Sequence, residues 1–106
     1  MAHIDIPRDR ISLLCAQYQI KRLALFGSVL RDNFRSDSDI DIIVEFLPGK
    51  RVGMLTMARI EREISQIFGG RKVDLRTPAE LSRYFRDEVM QKAEVCYEYD
   101  SYSAHA

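Results

Sequence analysis

The stretch LFGSVLRDNFRSDSDIDIIVEF (residues 25–46) carries a glycine–serine pair and an Asp-x-Asp motif at the two ends of a polar connection. Residues 20–26 are mostly apolar, with Lys21 and Arg22 near their start, which is typical of a strand. Gly27 ends that run, and the serine after it is a residue type that caps helices, which predicts a short helix to about residue 34. A second strand is predicted over 39–46, because apolar residues recur there at every second position.

Gly27, Ser28 and Arg31 are candidate nucleotide-binding residues. A glycine at the end of a strand lets a ligand approach the backbone closely. A helix that starts at Ser28 would direct unpaired N–H groups toward a phosphate, and the hydroxyl could add one more donor. Arg31 follows about one turn later and could reach the same phosphate. The same residues would also suit an ordinary turn with a helix cap, so the pattern leaves both interpretations open.

Asp39 and Asp41 are two residues apart on the predicted strand and therefore lie on the same face. Their carboxylates would be roughly 6–7 Å apart, as strand geometry requires. At an effective dielectric constant of about 20 they would repel each other by roughly 2–3 kcal/mol. Mg²⁺ bound together with substrate phosphates would remove that repulsion. The alternative is that both acids simply face water at the end of the strand.

Asp74 is the third candidate metal ligand and lies in a predicted strand over 72–76, between Val73 and Leu75. If this strand neighbours the strand of Asp41, three carboxylates line one face of the sheet. Two metal ions about 3.5–4 Å apart could share them, as in sites of phosphoryl and nucleotidyl transfer. Taken alone, Asp74 could equally be a solvated strand residue.

Apolar residues at helical spacing predict three further helices. One runs from about residue 7 to 18, one has Ile60 and Ile64 on its apolar face, and one continues from Leu81 toward Cys96. The order is then helix, strand, helix, strand, helix, strand, helix. It predicts an α/β (α+β) fold with a small mixed β-sheet flanked by helices.

The composition favours one globular domain over residues 1–106. Sixteen basic and sixteen acidic residues give a formal net charge of zero, which counts against direct binding of nucleic acid through its phosphates. No apolar run is long enough to span a membrane, and a signal sequence is not recognisable, so a cytoplasmic protein is expected. Cys15 and Cys96 are expected to be reduced core residues in helices.

The spacing Gly27-Ser28, ten residues, then Asp39-x-Asp41 resembles the defining motif of the DNA polymerase β-like nucleotidyltransferase superfamily. The stretch quoted first, VDLRTP at 73–78 and the ending EVCYE are similar to the small stand-alone branch called minimal nucleotidyltransferases (MNT). The resemblance covers about residues 8–98 and implies a polymerase β-like nucleotidyltransferase core. The remaining residues, 99–106, are expected to be a frayed tail.

The resemblance implies a role for each candidate residue. Gly27 and Ser28 would hold the triphosphate of ATP, and Arg31 would contact a phosphate. The three acids described above would bind Mg²⁺, and Asp74 would also help to deprotonate the attacking hydroxyl. Asp37, in the connecting loop, would organise that loop rather than take part in the chemistry.

The resemblance also implies a protein partner. MNT proteins are typically encoded beside a small helical HEPN protein, and the two behave as a toxin–antitoxin module. The chain would then be the antitoxin, able to transfer AMP from ATP to a tyrosine of the HEPN toxin. Homo-oligomers, or hetero-oligomers with the toxin, would be compatible with this function, whereas membrane and nucleic-acid partners are not expected.

Two other functions remain open. The chain could adenylylate a small molecule or an RNA end, or it could be a non-catalytic module that neutralises the toxin by occlusion. Docking would then use the last helix near Tyr84 and Phe85, although Phe85 is expected in the core and Tyr84 half-buried. Self-modification at Tyr97, Tyr99 or Tyr102 is a further idea, against which Tyr97 is expected to pack and the other two to be solvated.

Overall fold

The computed structural model describes residues 4–32, 34–35 and 37–99. Its helices and strands are α1 (Arg8–Tyr18), β1 (Ile20–Phe26), β2 (Ile40–Phe46), α2 (Met54–Ile67), β3 (Val73–Arg76), α3 (Arg86–Lys92) and β4 (Glu94–Glu98). Two short 3₁₀ helices lie at Gly27–Leu30 and Pro78–Glu80. The elements up to β3 confirm the order predicted from the sequence.

The four strands form one mixed sheet in the order β3-β2-β1-β4. β1 is antiparallel to both of its neighbours, whereas β2 and β3 are parallel. Parallel neighbours need a long crossover between them, and α2 supplies it. The predicted α+β fold with a small mixed sheet and flanking helices is therefore confirmed.

The hydrophobic core lies between α1, α2 and one face of the sheet. Alternate strand residues contribute to it because successive side chains point to opposite faces, as for Leu23, Leu25 and Ile42, which are fully buried. Ile11 of α1 and Ile60 of α2 are fully buried from the helical side. This face therefore holds the sheet in place and leaves the other face available for polar residues.

The opposite face of the sheet carries the acids of β2 and β3. Asp41 shares this face with Ile43, and Ala24 of β1 lies opposite Ile43 in the register. Ala24 and Ile43 are buried, yet neither belongs to the core on the helical side. The Pro78–Glu80 turn packs against β2, so the chain returns across the sheet before α3 begins.

The prediction of one long last helix was wrong. The chain forms the Pro78–Glu80 turn, the short helix α3, and then the strand β4, which pairs with β1. Cys96 therefore lies in a strand, where its thiol donates to the Leu23 carbonyl oxygen at 3.2 Å. Glu94–Glu98 occupies the edge of β1 that β2 leaves free, and β-branched and aromatic residues such as Val95 and Tyr97 suit a strand.

Two smaller predictions were also wrong. The helix expected from Ser28 to about residue 34 is the single 3₁₀ turn Gly27–Leu30. Phe85 was expected in the core and Tyr84 half-buried, but their side chains are 52% and 85% exposed. Both lie before α3 rather than on the buried face of a long helix, which leaves them in contact with solvent.

The predictions that both cysteines are buried free thiols and that Tyr97 packs against the core are confirmed. Cys15 and Cys96 are buried free thiols, and burial raises the pKa of each to about 12. Tyr97 packs against the core as expected, and Tyr99 is 40% exposed. Tyr102 and the predicted tail beyond residue 99 lie outside the described residues. In the described ranges, no helix has the length and apolar character needed to cross a membrane.

Candidate active site

Strand register brings two of the predicted acids side by side. Asp41 in β2 pairs with Asp74 in β3, and on its other side it pairs with Phe26, the last residue of β1. Ile40, at the start of β2, pairs with Val73. Asp39 directly precedes Ile40 and therefore lies at the same end of these strands. The three acids therefore lie at the end of the sheet where β1 ends and where β2 and β3 begin.

Basic side chains offset two of the three charges. Lys72 Nζ lies 3.8 Å from Asp39 Oδ2, and Arg76 Nη2 lies 3.1 Å from Asp74 Oδ2. The side chains of Asp39 and Asp74 are 47% and 38% exposed, so solvent screens both ion pairs and each contributes little to stability. A metal ion or a substrate could displace Lys72 and Arg76 at small cost.

Asp41 is the acid with the least compensated charge. Burial raises its pKa above the ordinary value of 3.8, and the carboxylates of Asp74 and Asp39 raise it further. Arg76 and a hydrogen bond from the Ser28 backbone lower it in part. Folding therefore imposes an electrostatic cost at Asp41, of the kind that is common at functional sites.

Gly27 connects these acids to the predicted phosphate-binding turn. Its φ is +73°, a left-handed conformation that favours glycine, and a Cβ there would lie 2.5 Å from Asp41 Oδ2. Next to it, the Ser28 hydroxyl donates to the Asp39 carbonyl oxygen at 3.4 Å. The structure thus places Gly27 and Ser28 directly against the Asp-x-Asp motif.

Arg31 lies in an open cleft beside this turn. The cleft has a volume of about 590 Å³, and its lining residues are Phe26, Gly27, Leu30, Arg31, Glu88, Val89 and Lys92. The last three come from α3, and no motif in the sequence marks them, because the apolar pattern of that segment predicts a core helix. The cleft adjoins the carboxylates through Gly27, so the predicted binding residues and the acids form one continuous region.

The carboxylates suit a metal ion that is shared with a substrate. Within residues 4–32, 34–35 and 37–99, no group of three His, Cys, Asp or Glu side chains is arranged to hold a metal ion by itself. Mg²⁺ is usually held by one or two carboxylates together with waters and substrate phosphates, and it does not need an all-protein cage. The raised pKa of Asp41 and the close approach at Gly27 fit such a shared ion.

Arg71 fixes the loop that leads into Asp39. Its Nη2 donates to the carbonyl oxygens of Arg35 and Ser38 at 2.6 and 2.9 Å, and its guanidinium lies 4.4 Å from the centre of the Phe34 ring. Asp37, the residue expected to organise this loop, is exposed. In the described part of the loop, the long-range ties run through Arg71 instead, which the sequence alone did not indicate.

Replacing Arg71 by alanine is expected to destabilise the protein by about 1–3 kcal/mol, because two hydrogen bonds and a cation–π contact are lost together. The position of Asp39 should become less defined, so nucleotide binding should weaken as well. Arg71→Lys should be intermediate, since an ammonium keeps the charge but lacks the planar fork. Thermal unfolding and calorimetric titration would measure both effects. The exposed Arg62→Ala is the control, and an equal loss there would contradict this role for Arg71.

Comparison with known proteins agrees with this geometry. The family model for polymerase beta nucleotidyltransferases matches residues 9–102. A protein of Methanocaldococcus jannaschii that bears the name of a protein adenylyltransferase is 33% identical over 84% of this chain and 91% of its own length. The match therefore spans almost the whole of that relative.

Two solved structures share the fold. One is a toxin–antitoxin complex with AMP-PNP, with a TM-score of 0.68 and 18% identity, covering 91% of this chain and 77% of that one. The other is a tri-AMPylated Shewanella oneidensis HEPN toxin in complex with its MNT antitoxin, with a TM-score of 0.60 and 18% identity, covering 92% and 74%. At this identity the two structures support the fold, while the family model and the M. jannaschii relative support the family. The chain belongs to the polymerase β family of nucleotidyltransferases.

Proposed function

We propose that the chain is the antitoxin of a HEPN/MNT pair and transfers AMP from ATP to a tyrosine hydroxyl of its HEPN partner, with Mg²⁺. The observation that carries the proposal is the register that sets Asp41 beside Asp74 and against Gly27. Carboxylates at this end of the sheet, with a glycine beside them that lets a ligand approach the backbone closely, suit a metal-bound nucleoside triphosphate. The cytoplasm, where ATP is abundant, is the proposed location.

The proposed reaction is an in-line displacement at the α-phosphorus of ATP. The tyrosine oxygen forms a bond to that phosphorus, the bond to the bridging oxygen of the β-phosphate breaks, and pyrophosphate leaves. Asp39, Asp41 and Asp74 would hold Mg²⁺, which when bound would neutralise charge that develops on the phosphate oxygens. Asp74 accepts the proton of the tyrosine hydroxyl. Gly27 and Ser28 hold the phosphates that leave, and Arg31 contacts them from the cleft.

A protein acceptor fits the open geometry of the site. The side chains of Asp39 and Asp74 are 47% and 38% exposed at the end of the sheet where β2 and β3 begin, and a side chain of another protein can reach them there. The M. jannaschii relative is named for protein adenylylation, and in one structural neighbour the toxin is tri-AMPylated. The formal net charge of zero makes an RNA acceptor a weaker candidate.

One observation favours a second candidate, a binding module that acts by occlusion. Tyr84 and Phe85 are exposed next to each other, and Arg83 lies 5.4 Å from the Tyr84 ring centre. Aromatic residues and arginine are the residue types that dominate protein interfaces. The same surface would also suit an antitoxin that presents its toxin to the carboxylates. The two candidate functions therefore differ in whether AMP transfer is needed to neutralise the toxin.

Intact mass spectrometry of the HEPN partner would test the proposal. Incubation with this chain, ATP and Mg²⁺ should add one or more AMP units to the partner, and mapping should place them on tyrosine. The doubly substituted Asp39→Ala/Asp41→Ala protein should give no mass gain. If the unaltered chain forms a stable complex with the partner but adds no mass to it, occlusion is favoured. AMP recovered on RNA or on a small molecule would mean that the acceptor is that molecule and not the HEPN partner.

A further inference from the structure

The cleft between Gly27–Leu30 and α3 is lined by two basic residues that come from different elements. Arg31 lies on the wall next to the glycine–serine turn, and Lys92 lies on α3. The side chain of Arg31 is exposed and has no ion pair or hydrogen bond with any residue in the described ranges. Its guanidinium is therefore available to an anion that enters the cleft.

Among the residues that the structure describes, the partner of Lys92 is a neighbouring acid. Its Nζ lies 2.8 Å from Glu88 Oε1, one helical turn earlier, and the two side chains are 71% and 64% exposed. An exposed pair of this kind is worth little in water, because solvent screens both charges. An incoming phosphate, which carries more negative charge than one carboxylate, can replace Glu88 as the partner of Lys92 at small cost.

Gly27 belongs both to this cleft and to the acid site. A ligand with its reacting phosphorus at Asp41 can therefore extend across Gly27 into the cleft. A nucleoside triphosphate has two arms on either side of its α-phosphate: the nucleoside and the β,γ-phosphates. The two cations favour the phosphate arm, whereas the apolar residues Phe26, Leu30 and Val89 would suit the base.

We propose that Lys92 of α3, which lines the same cleft as Arg31, binds the β- and γ-phosphates of the nucleotide and the pyrophosphate that leaves. The inference rests on the proposed function, since it requires the α-phosphate to lie at Asp41. It adds a phosphate-binding residue that comes from a different element than the glycine–serine turn. α3 then distinguishes nucleoside triphosphates from monophosphates, and Glu88 keeps Lys92 in place when no nucleotide is bound.

Calorimetric titration of the full chain with AMP-PNP and with AMP, both with Mg²⁺, would test the proposal. Lys92→Gln should weaken AMP-PNP binding by about tenfold, because a charge-assisted hydrogen bond is lost, and should change AMP binding by less than about twofold. Glu88→Gln should strengthen AMP-PNP binding, since it removes the carboxylate that competes for Lys92. The control is Lys50→Gln, an exposed lysine in the turn after β2, which should bind both ligands as the unaltered chain does.

The outcomes separate this inference from the proposed function. Equal weakening of AMP and AMP-PNP by Lys92→Gln would mean that the nucleoside occupies the cleft, and would overturn the inference alone. If Lys92→Gln binds both ligands as tightly as the unaltered chain does, the inference is overturned as well. Failure of the unaltered chain to bind AMP-PNP would contradict the proposed function and this inference together. Unfolding temperatures within a degree or so of the unaltered chain would establish that the variants are folded, as expected for exposed positions.

Discussion

Replacing Asp41 by asparagine is expected to abolish AMP transfer while the protein stays folded. Asparagine has nearly the same shape as aspartate but lacks the negative charge that a Mg²⁺ ligand must supply here. The loss should be at least about 10³-fold, because the charge on the reacting phosphate would no longer be neutralised. Single-turnover transfer to the HEPN partner would measure it.

The same substitution is expected to make the protein more stable at neutral pH. The raised pKa of Asp41 means that the native state binds this proton more tightly than the unfolded chain does. Asp41 therefore favours folding at acid pH and loses that contribution as the pH rises through its raised pKa. Asparagine has no carboxylate to ionise and therefore avoids this loss.

Thermal unfolding of both proteins across the acid range would check the sign of this effect. The advantage of Asp41→Asn should be present at neutral pH and should disappear once the pH falls below the ordinary aspartate value of 3.8. Asp5→Asn, an exposed acid outside the site, is the control and should show no such gain. A lower unfolding temperature for Asp41→Asn at neutral pH, or retained transfer, would contradict the role given to Asp41.

Replacing Gly27 by alanine is the second change with a large expected effect. Two costs combine there: alanine in a left-handed conformation, and a Cβ placed 2.5 Å from Asp41 Oδ2. The strain should cost about 1–3 kcal/mol of unfolding free energy. Displacement of the Asp41 carboxylate should lower transfer by about 10²-fold or more, because small errors in position are costly in a catalytic site.

Gly49→Ala separates the collision from the backbone strain. Gly49 has a φ of +84°, close to that of Gly27, but a Cβ there would meet nothing within 4 Å. Its substitution should therefore reduce stability by a similar strain term and leave transfer intact. Equal losses of transfer in Gly27→Ala and Gly49→Ala would mean that the contact with Asp41 is unimportant.

The parts of the fold that could be predicted depend on local signals. The period-2 pattern of β2 and the glycine after β1 are visible in the sequence, and both strands lie where they were expected. The position of Asp74 beside Asp41 was only conditional, because strand order cannot be read from spacing. The parallel pairing of β2 with β3 in the structure supplies the missing condition.

The parts that could not be predicted depend on contacts that are distant in sequence. β4 forms because β1 has a free edge, which the pattern around Cys96 does not reveal. Arg71 reaches a loop that lies more than thirty residues earlier in the chain, and Lys92 lines the same cleft as Arg31 although the two are far apart in sequence. Surface arginines and lysines look alike in a sequence, so their partners become known only from the fold.

The most direct measurement is to follow which phosphate of ATP is transferred. The HEPN partner would be incubated with this chain, Mg²⁺ and ATP labelled with ³²P at either the α- or the γ-position. Attack at the α-phosphorus predicts label on the partner from α-labelled ATP only, and release of labelled pyrophosphate from γ-labelled ATP. Label on the partner from γ-labelled ATP would contradict nucleotidyl transfer, and no label from either would contradict catalysis on this partner.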